Sequence, residues 1–347
     1  MNKLFKKVFI SIISLLLAMT TLATSTFAWM SLNAEAWVEG MQFTATGGEG
    51  FLISVDGVNY KSQLTELDIL QAIVCKSMEY EFVDSHVVDK DGNILSEDEI
   101  RAIVDSIKLE PLTSINNLAG QLPLSNLLNQ SAKKDSYLEF DIYFKRVDTS
   151  EAASEVKVYL NGQDDYYASD NTLVPTTSIT SEKEYVTLKE SLHCIVRDEN
   201  IPELSKGRYH WGDRIAVQSS NAMRMGIISE DKETVVEVTN QYDLGSYATD
   251  SNQLRYYAET NAMYTYYNNL KNNSLQKLSY QNDLPENFYE SLVNDKGENQ
   301  VLVCVLPGNE AVKTTFKFWL EGWDADCFDG IGKNISIQLS FIMGRYE

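Results

Sequence analysis

The chain has 347 residues, of which 44% are hydrophobic, and it carries 29 Lys and Arg against 50 Asp and Glu. This much apolar material excludes a disordered tail. The formal net charge of -21 argues against binding to nucleic acid or to an anionic membrane surface, because like charges would repel the folded chain.

The N-terminal segment has the three regions of a secretory signal. Lysines precede an apolar run over residues 8–19, and a stretch rich in Thr, Ser and Ala then ends in Ala28. The apolar run is shorter than the roughly 20 residues that a membrane-spanning helix needs. We therefore predict that residues 1–28 are a signal peptide, which a signal peptidase removes between Ala28 and Trp29. The alternative is an N-terminal anchor that is retained in the membrane.

Two Asp-Gly pairs mark tight turns. Asp56-Gly57 and Asp91-Gly92 each predict a hairpin, because an Asp-Gly pair readily adopts positive φ angles. Asp89 and Asp91 also resemble two ligand positions of a calcium-binding EF-hand loop. The bidentate Glu that closes such a loop is missing here. A hairpin tip without metal is therefore favoured over a calcium site.

Helical signals are fewer. Ser96 and Glu99 form a capping box, and isoleucines follow at helical spacing, which predicts a helix over residues 97–107. The apolar residues 64–78 predict a second helix. The Tyr- and Asn-rich residues 252–278 fit no period well, and they are predicted to be partly helical.

Alternation of apolar and polar residues is the commonest pattern in the rest of the chain. It occurs over residues 138–144, 156–160, 215–217, 235–238, 301–306, 315–320 and 335–343. This pattern indicates strands with one buried face, and many such strands predict packed antiparallel sheets. No linker divides the chain. We expect residues 29–347 to form one β-sandwich with helical insertions near residues 64–107 and 252–278, in preference to two domains.

A catalytic or metal-binding set is not evident. The three histidines begin no H-E-x-x-H motif, and the cysteines form no C-x-x-C pair. Asp324 and Asp326 lie close together after the strand at residues 315–320 and could approach a cation. Capping of backbone N–H groups at the strand end is the favoured role for them. We therefore predict no enzyme activity, no resident metal and no cofactor.

Cysteine pairing is a separate question for an exported chain. The strands at residues 301–306 and 315–320 are predicted to form a hairpin, with Cys304 and Cys327 on either side. If any two of the four cysteines form a disulfide, these two are the first choice.

Aromatic residues offer one ligand-binding hypothesis. Tyrosines cluster in the region from residue 256 to residue 267, and a tryptophan follows the strand at residues 315–320. Aromatic faces stack on sugar rings. The candidate glycan contacts are Tyr256, Tyr257, Tyr264, Tyr266, Tyr267 and Trp323. Filling of the core is the favoured role for these side chains, as for most aromatic residues in a chain of this size.

The junction TFAWMSLN at residues 26–33, followed by GMQFTA at residues 40–45 and FLIS at residues 51–54, resembles the start of TasA/camelysin-type secreted proteins of Gram-positive bacteria. The resemblance implies processing by an endoplasmic-reticulum-type signal peptidase and a jelly-roll β-sandwich. It also implies subunits that polymerise when the N-terminal strand of one enters the sheet of the next. The metallopeptidase activity ascribed to camelysin-like proteins is not carried over, because no zinc-ligand motif is present. This chain departs from the pattern in its length, its cysteines and its insertions.

These observations lead to one expectation and one alternative. The chain is expected to be a secreted or surface-associated structural protein without enzymatic activity, such as a subunit of biofilm matrix fibres. Its partners would be further copies of itself or other components of the matrix or cell wall. The assembly strand would lie within residues 29–46 and would use Trp37, Val38, Met41 and Phe43, which can bury alternate side chains along a neighbouring edge. The same residues could instead pair within their own subunit. The alternative function is a carbohydrate- or surface-binding module.

Overall fold

The computed structural model describes residues 36–37, 42–47, 50–78, 80–114, 122–126, 130–147, 155–164, 167, 171, 173–187, 214–230, 232–238, 290–294, 296–308, 310–322, 327 and 335–344. In this part of the chain the fold is mainly β, with two large sheets that face each other. This confirms the mainly-β class predicted from the alternating residues. The predicted signal peptide and residues 252–278 lie outside the described residues.

The first sheet, sheet I, has the strand order β16-β15-β18-β10-β3, and β8 and β9 extend it beside β18. Its strands are β3 (Phe51–Ser54), β8 (Pro111–Thr113), β9 (Ser125–Asn126), β10 (Leu138–Arg146), β15 (Met223–Ser229), β16 (Lys232–Val236) and β18 (Val312–Glu321). The long strands β10 and β18 form its centre, since β10 pairs with β18 from Leu138 to Phe144.

The second sheet, sheet II, has the order β17-β11-β19-β2-β4, with β12 also paired to β19. Its strands are β2 (Gln42–Thr46), β4 (Gln63–Leu64), β11 (Val156–Leu160), β12 (Ser178–Thr180), β17 (Leu302–Leu306) and β19 (Ser336–Met343). Three small antiparallel pairs stand apart in the described part of the chain: β1 (Ala36–Trp37) with β7 (Lys108–Leu109), β5 (Glu81–Val83) with β6 (His86–Val88), and β13 (Lys183–Thr187) with β14 (Arg214–Gln218).

Phenylalanine rings fill the space between the two sheets. Phe144 of sheet I meets Phe341 of sheet II edge to face, with ring centroids 4.9 Å apart. Phe316 of sheet I lies 5.8 Å from the same Phe341 ring. Buried aromatic pairs of this kind contribute beyond their buried area. The alternation that predicted the strands therefore produces one face of sheet I that packs directly on sheet II.

Among the described residues, the helices are α1 (Glu66–Met78), α2 (Glu97–Asp105) and the single turn α3 (Ser219–Ala222). The capping box is present as predicted, because the Ser96 side chain accepts from the Glu99 N–H while the Glu99 carboxylate accepts from the Ser96 N–H. Helix α2 ends two residues before the predicted boundary. Helix α1 lies against β10 and β2, so it contacts both sheets. Both helices predicted in this region are thus confirmed.

Both predicted Asp-Gly turns are present. Gly57 and Gly92 have φ angles of 72° and 82°, in the left-handed region that glycine adopts at little cost. The first turn is closed by a bridge between Ile53 and Lys61, and the second by a bridge between Val88 and Ile94.

Two expectations about strand pairing are wrong. The sheets are mixed rather than antiparallel, because β2 runs parallel to β19 and β8 runs parallel to β18. The predicted hairpin between residues 301–306 and 315–320 does not form, because β17 pairs with β11 in sheet II while β18 belongs to sheet I. Alternation identifies the buried face of a strand and carries no information on its partner.

A second apolar cluster lies on the outer face of sheet I. Trp319 is fully buried there beneath residues 122–126. The segment is held at both backbone groups of Leu122, whose N–H donates to Glu233 and whose carbonyl accepts from Lys317. Gly226 on β15 packs directly against Leu122, and a Cβ atom at position 226 would lie 2.6 Å from the Leu122 side chain. The covering segment thus makes Trp319 part of a separate apolar core.

Candidate assembly site

The N-terminal arm, defined as residues 29–46, reaches the core through β2. Strand β2 lies between β19 and β4, parallel to the first and antiparallel to the second. The register with β19 places Phe43 opposite Ile337 and Ala45 opposite Leu339. A further backbone hydrogen bond of 3.0 Å runs from the Gln42 N–H to the Ile335 carbonyl. One short N-terminal strand thus occupies an interior position of sheet II.

Side chains of β2 alternate between the core and solvent. Phe43 and Ala45 are buried, whereas Gln42 and Thr44 are exposed. The Phe43 ring is 1% exposed and meets Phe140 of sheet I edge to face, with the centroids 6.2 Å apart and the planes at 84°. Removal of β2 would open a cavity over Phe140 and leave one side of β19 without its backbone partner. We call this position the β2 groove.

A second contact of the arm lies upstream. Ala36 pairs with Leu109 and Trp37 pairs with Lys108, in the two-residue ladder of β1 and β7. The side chain of Trp37, together with Val38, Met41 and the cleavage site at Ala28 and Trp29, lies outside the described residues. Of the predicted assembly residues, Phe43 is the one whose side chain the structure places, and it packs within its own subunit.

The structure describes only some of the candidate metal ligands. Asp324 and Asp326 lie outside the described residues. Asp89 belongs to the tip of a hairpin, where its carboxylate accepts the N–H groups of Asp91 at 2.9 Å and Asn93 at 2.8 Å. Hydrogen bonds from Asn93 hold the pKa of Asp89 below its ordinary value. The described residues contain no group of three or more His, Cys, Asp or Glu side chains arranged to hold a metal ion.

The thiol of Cys304 is buried between the sheets, and no disulfide joins it to Cys327 in the structure. Burial raises the pKa of the Cys304 thiol to about 12. A thiol with this pKa stays protonated and is a poor nucleophile near neutral pH. The pairing was expected on the assumption of a hairpin between β17 and β18, and these strands belong to different sheets.

The candidate glycan contacts, Tyr256, Tyr257, Tyr264, Tyr266, Tyr267 and Trp323, all lie outside the described residues. A surface cavity of about 450 Å³ opens beside β15 and β18, and its lining includes Ile228, Glu230, Pro307, Glu310 and Lys313. Aliphatic and charged side chains line this cavity, and an aromatic face is what stacks on a sugar ring. The cavity therefore does not supply the glycan site predicted from the tyrosines.

A charged cluster on β10 was not anticipated. Glu139 and Asp141 lie on the outer face of the strand, two residues apart, and each side chain is 17% exposed. Lys76 of α1 places its Nζ atom 3.0 Å from Asp141 Oδ2. Lys313 and Lys317 of β18 approach the same carboxylates. The spacing of the two acids could have indicated a shared face, but the chain gives no local signal that pairs them with Lys76.

Comparisons with protein-family models, with curated proteins and with solved structures gave no match. Within the described part of the chain, the helices are too short or too polar to cross a membrane. The candidate site that the geometry itself defines is the β2 groove, with its ladder to β19 and the packing of Phe43 on Phe140.

Proposed function

We propose that the protein is a secreted or surface-associated structural subunit without enzymatic activity, and that it assembles by exchange of its N-terminal arm. In the assembled state, β2 of one copy would occupy the β2 groove of the next. The finer arrangement proposed for the two sheets is the jelly roll. The observation that carries the proposal is that a strand of five residues near the N-terminus completes the interior of sheet II and buries Phe43.

Exchange of such an arm requires no new surface. The ladder with β19 and the packing of Phe43 on Phe140 would form equally well between two copies, because the groove is the same in each. Swapping an identical element is a low-cost route to association for this reason. The balance between the closed and exchanged forms then depends on protein concentration and on the linkage between arm and body.

Directional growth follows from the position of the arm. If each copy donates to one neighbour and accepts from another, the contact is head to tail, and repetition produces an open filament unless the ring closes. The acidic composition fits this role, because net charge keeps unassembled copies apart in solution. Loss of the lysine-bearing leader, residues 1–28, would make the body more acidic still.

The test combines N-terminal sequencing of the exported protein with light scattering and negative-stain microscopy. We expect a mature chain that starts at Trp29 and forms filaments, and we expect these filaments to be lost when residues 29–46 are deleted. The matched control is Thr44→Ala, because Thr44 lies on β2 and points to solvent. Folded monomers at every concentration would reject arm exchange.

A further inference from the structure

The charged cluster on β10 contains three groups in a reactive arrangement. Lys76 Nζ lies 3.0 Å from Asp141 Oδ2 and 3.9 Å from Glu139 Oε1. The two carboxylates are largely buried, and the lysine side chain is 32% exposed. An amide bond between side chains needs an amine, a carboxyl group that it touches and a second carboxyl group beside both. This cluster contains all three.

The Asp141 carboxyl group is held in a fixed orientation. Its Oδ1 atom accepts a hydrogen bond of 2.6 Å from the Thr315 hydroxyl on the neighbouring strand. The other oxygen, Oδ2, faces Lys76. Lys76 lies on α1, which packs against β10. Both reactants are therefore positioned by elements of the fold rather than by flexible loops.

We propose that Lys76 and Asp141 form an intramolecular isopeptide bond, with Glu139 as the proton carrier. Glu139 takes a proton from the Lys76 ammonium, and the neutral amine attacks the Asp141 Cγ atom. The C–N bond forms as a C–O bond of the carboxyl group breaks. Two protons of the former ammonium leave with that oxygen, one of them by way of Glu139. The products are one amide and one water molecule, and Glu139 is again a carboxylate. No oxidant, reductant or metal takes part.

Proximity lowers the barrier to this reaction. Well-oriented groups within one molecule react as if at effective concentrations of about 10⁵ to 10⁸ M. The competing arrangement is a permanent ion pair. Two further lysines support it, because Lys313 Nζ lies 3.6 Å from Asp141 Oδ2 and Lys317 Nζ lies 3.9 Å from Glu139 Oε1. Lys76 is nevertheless closer to Asp141 than Lys313 is, and its Nζ atom also lies 3.9 Å from Glu139 Oε1. The bond would fasten α1 to the central strand of sheet I, independently of arm exchange.

Mass spectrometry of the intact, folded protein tests the proposal. We expect the chain to be lighter by one water molecule than its sequence requires, after its N-terminus has been determined and any disulfide has been reduced. Proteolysis should release a branched peptide that joins Lys76 to Asp141. Lys76→Arg keeps the positive charge but lacks a reactive amine, so this variant should have the full mass. Glu139→Gln should have the full mass as well, whereas Lys313→Arg should still lose water.

Three results would overturn the proposal or part of it. The full sequence mass in wild-type protein with a native circular dichroism spectrum means that the cluster is an ion pair and nothing more. A branch at Lys313 instead of Lys76 means that the wrong amine was assigned. Loss of water in a folded Glu139→Gln variant removes the role of Glu139 as proton carrier.

Discussion

Replacing Phe43 by alanine measures how much the folded state depends on β2. Phe43 is 1% exposed, and a buried Phe→Ala change costs about 3–5 kcal/mol through lost transfer free energy and the cavity left behind. The edge-to-face contact with Phe140 contributes about 0.5–1.5 kcal/mol of its own, which places this site in the upper part of that range. We therefore expect the free energy of unfolding to fall by about 4–5 kcal/mol.

Urea denaturation followed by circular dichroism gives this value from the shift in midpoint at constant slope. The control is Thr44→Ala, which alters an exposed position on the same strand and should cost below about 0.5 kcal/mol. A loss below about 1 kcal/mol for Phe43→Ala would refute the reasoning, because it would mean that β2 adds little to the core. Such a weakly held strand could not drive assembly either.

Three further changes test other parts of the fold. Gly226→Ala places a Cβ atom 2.6 Å from Leu122 in a closed cluster, so it should cost about 1–3 kcal/mol in urea denaturation. A second substitution, Leu122→Ala, should relieve this clash, and a strictly additive double variant would contradict the packing described. Ser96→Ala removes the cap of α2 and should cost about 1 kcal/mol, and an unchanged midpoint would argue against the capping box. Partial burial raises the pKa of Asp56, but hydrogen bonds, chiefly from Asn59, outweigh it and lower the pKa to about 2. The stabilisation by Asp56 is therefore present above about pH 4 and lost as the pH falls through about 2. Asp56→Asn should reduce the acid sensitivity of the urea midpoint in that window. An unchanged pH profile would contradict this role of Asp56.

Local patterns predicted the local structure well. Ser96 and Glu99 specify a helix start through their own hydrogen bonds, and the Asp-Gly pairs specify turns through the φ angles that glycine permits. The alternation in β10 likewise identified its buried face, from Leu138 to Phe144. In each case the physical cause acts within a few residues, so the sequence around the element contains it.

Pairing over long distances was not predictable in the same way. The parallel ladder of β2 with β19 joins residues from opposite ends of the chain, and no local feature of β2 selects β19 as its partner. Lys76 and Asp141 are brought together by the packing of α1 on β10, and Trp319 is buried by a segment from elsewhere in the chain. These contacts depend on which faces meet in the folded chain, which period-2 alternation leaves open.

Strand exchange between copies can be detected directly with two cysteine variants. Thr44 and Gln338 are paired across the ladder of β2 and β19, and neighbouring strands lie within the distance that a disulfide can bridge. A double variant carrying Thr44→Cys and Gln338→Cys should form a disulfide, which checks the register. A mixture of the two single variants is then allowed to assemble and is oxidised, with wild-type protein as the control for native cysteines. Arm exchange predicts covalent adducts between the two variants, whereas a disulfide in the double variant without any adduct in the mixture would contradict it.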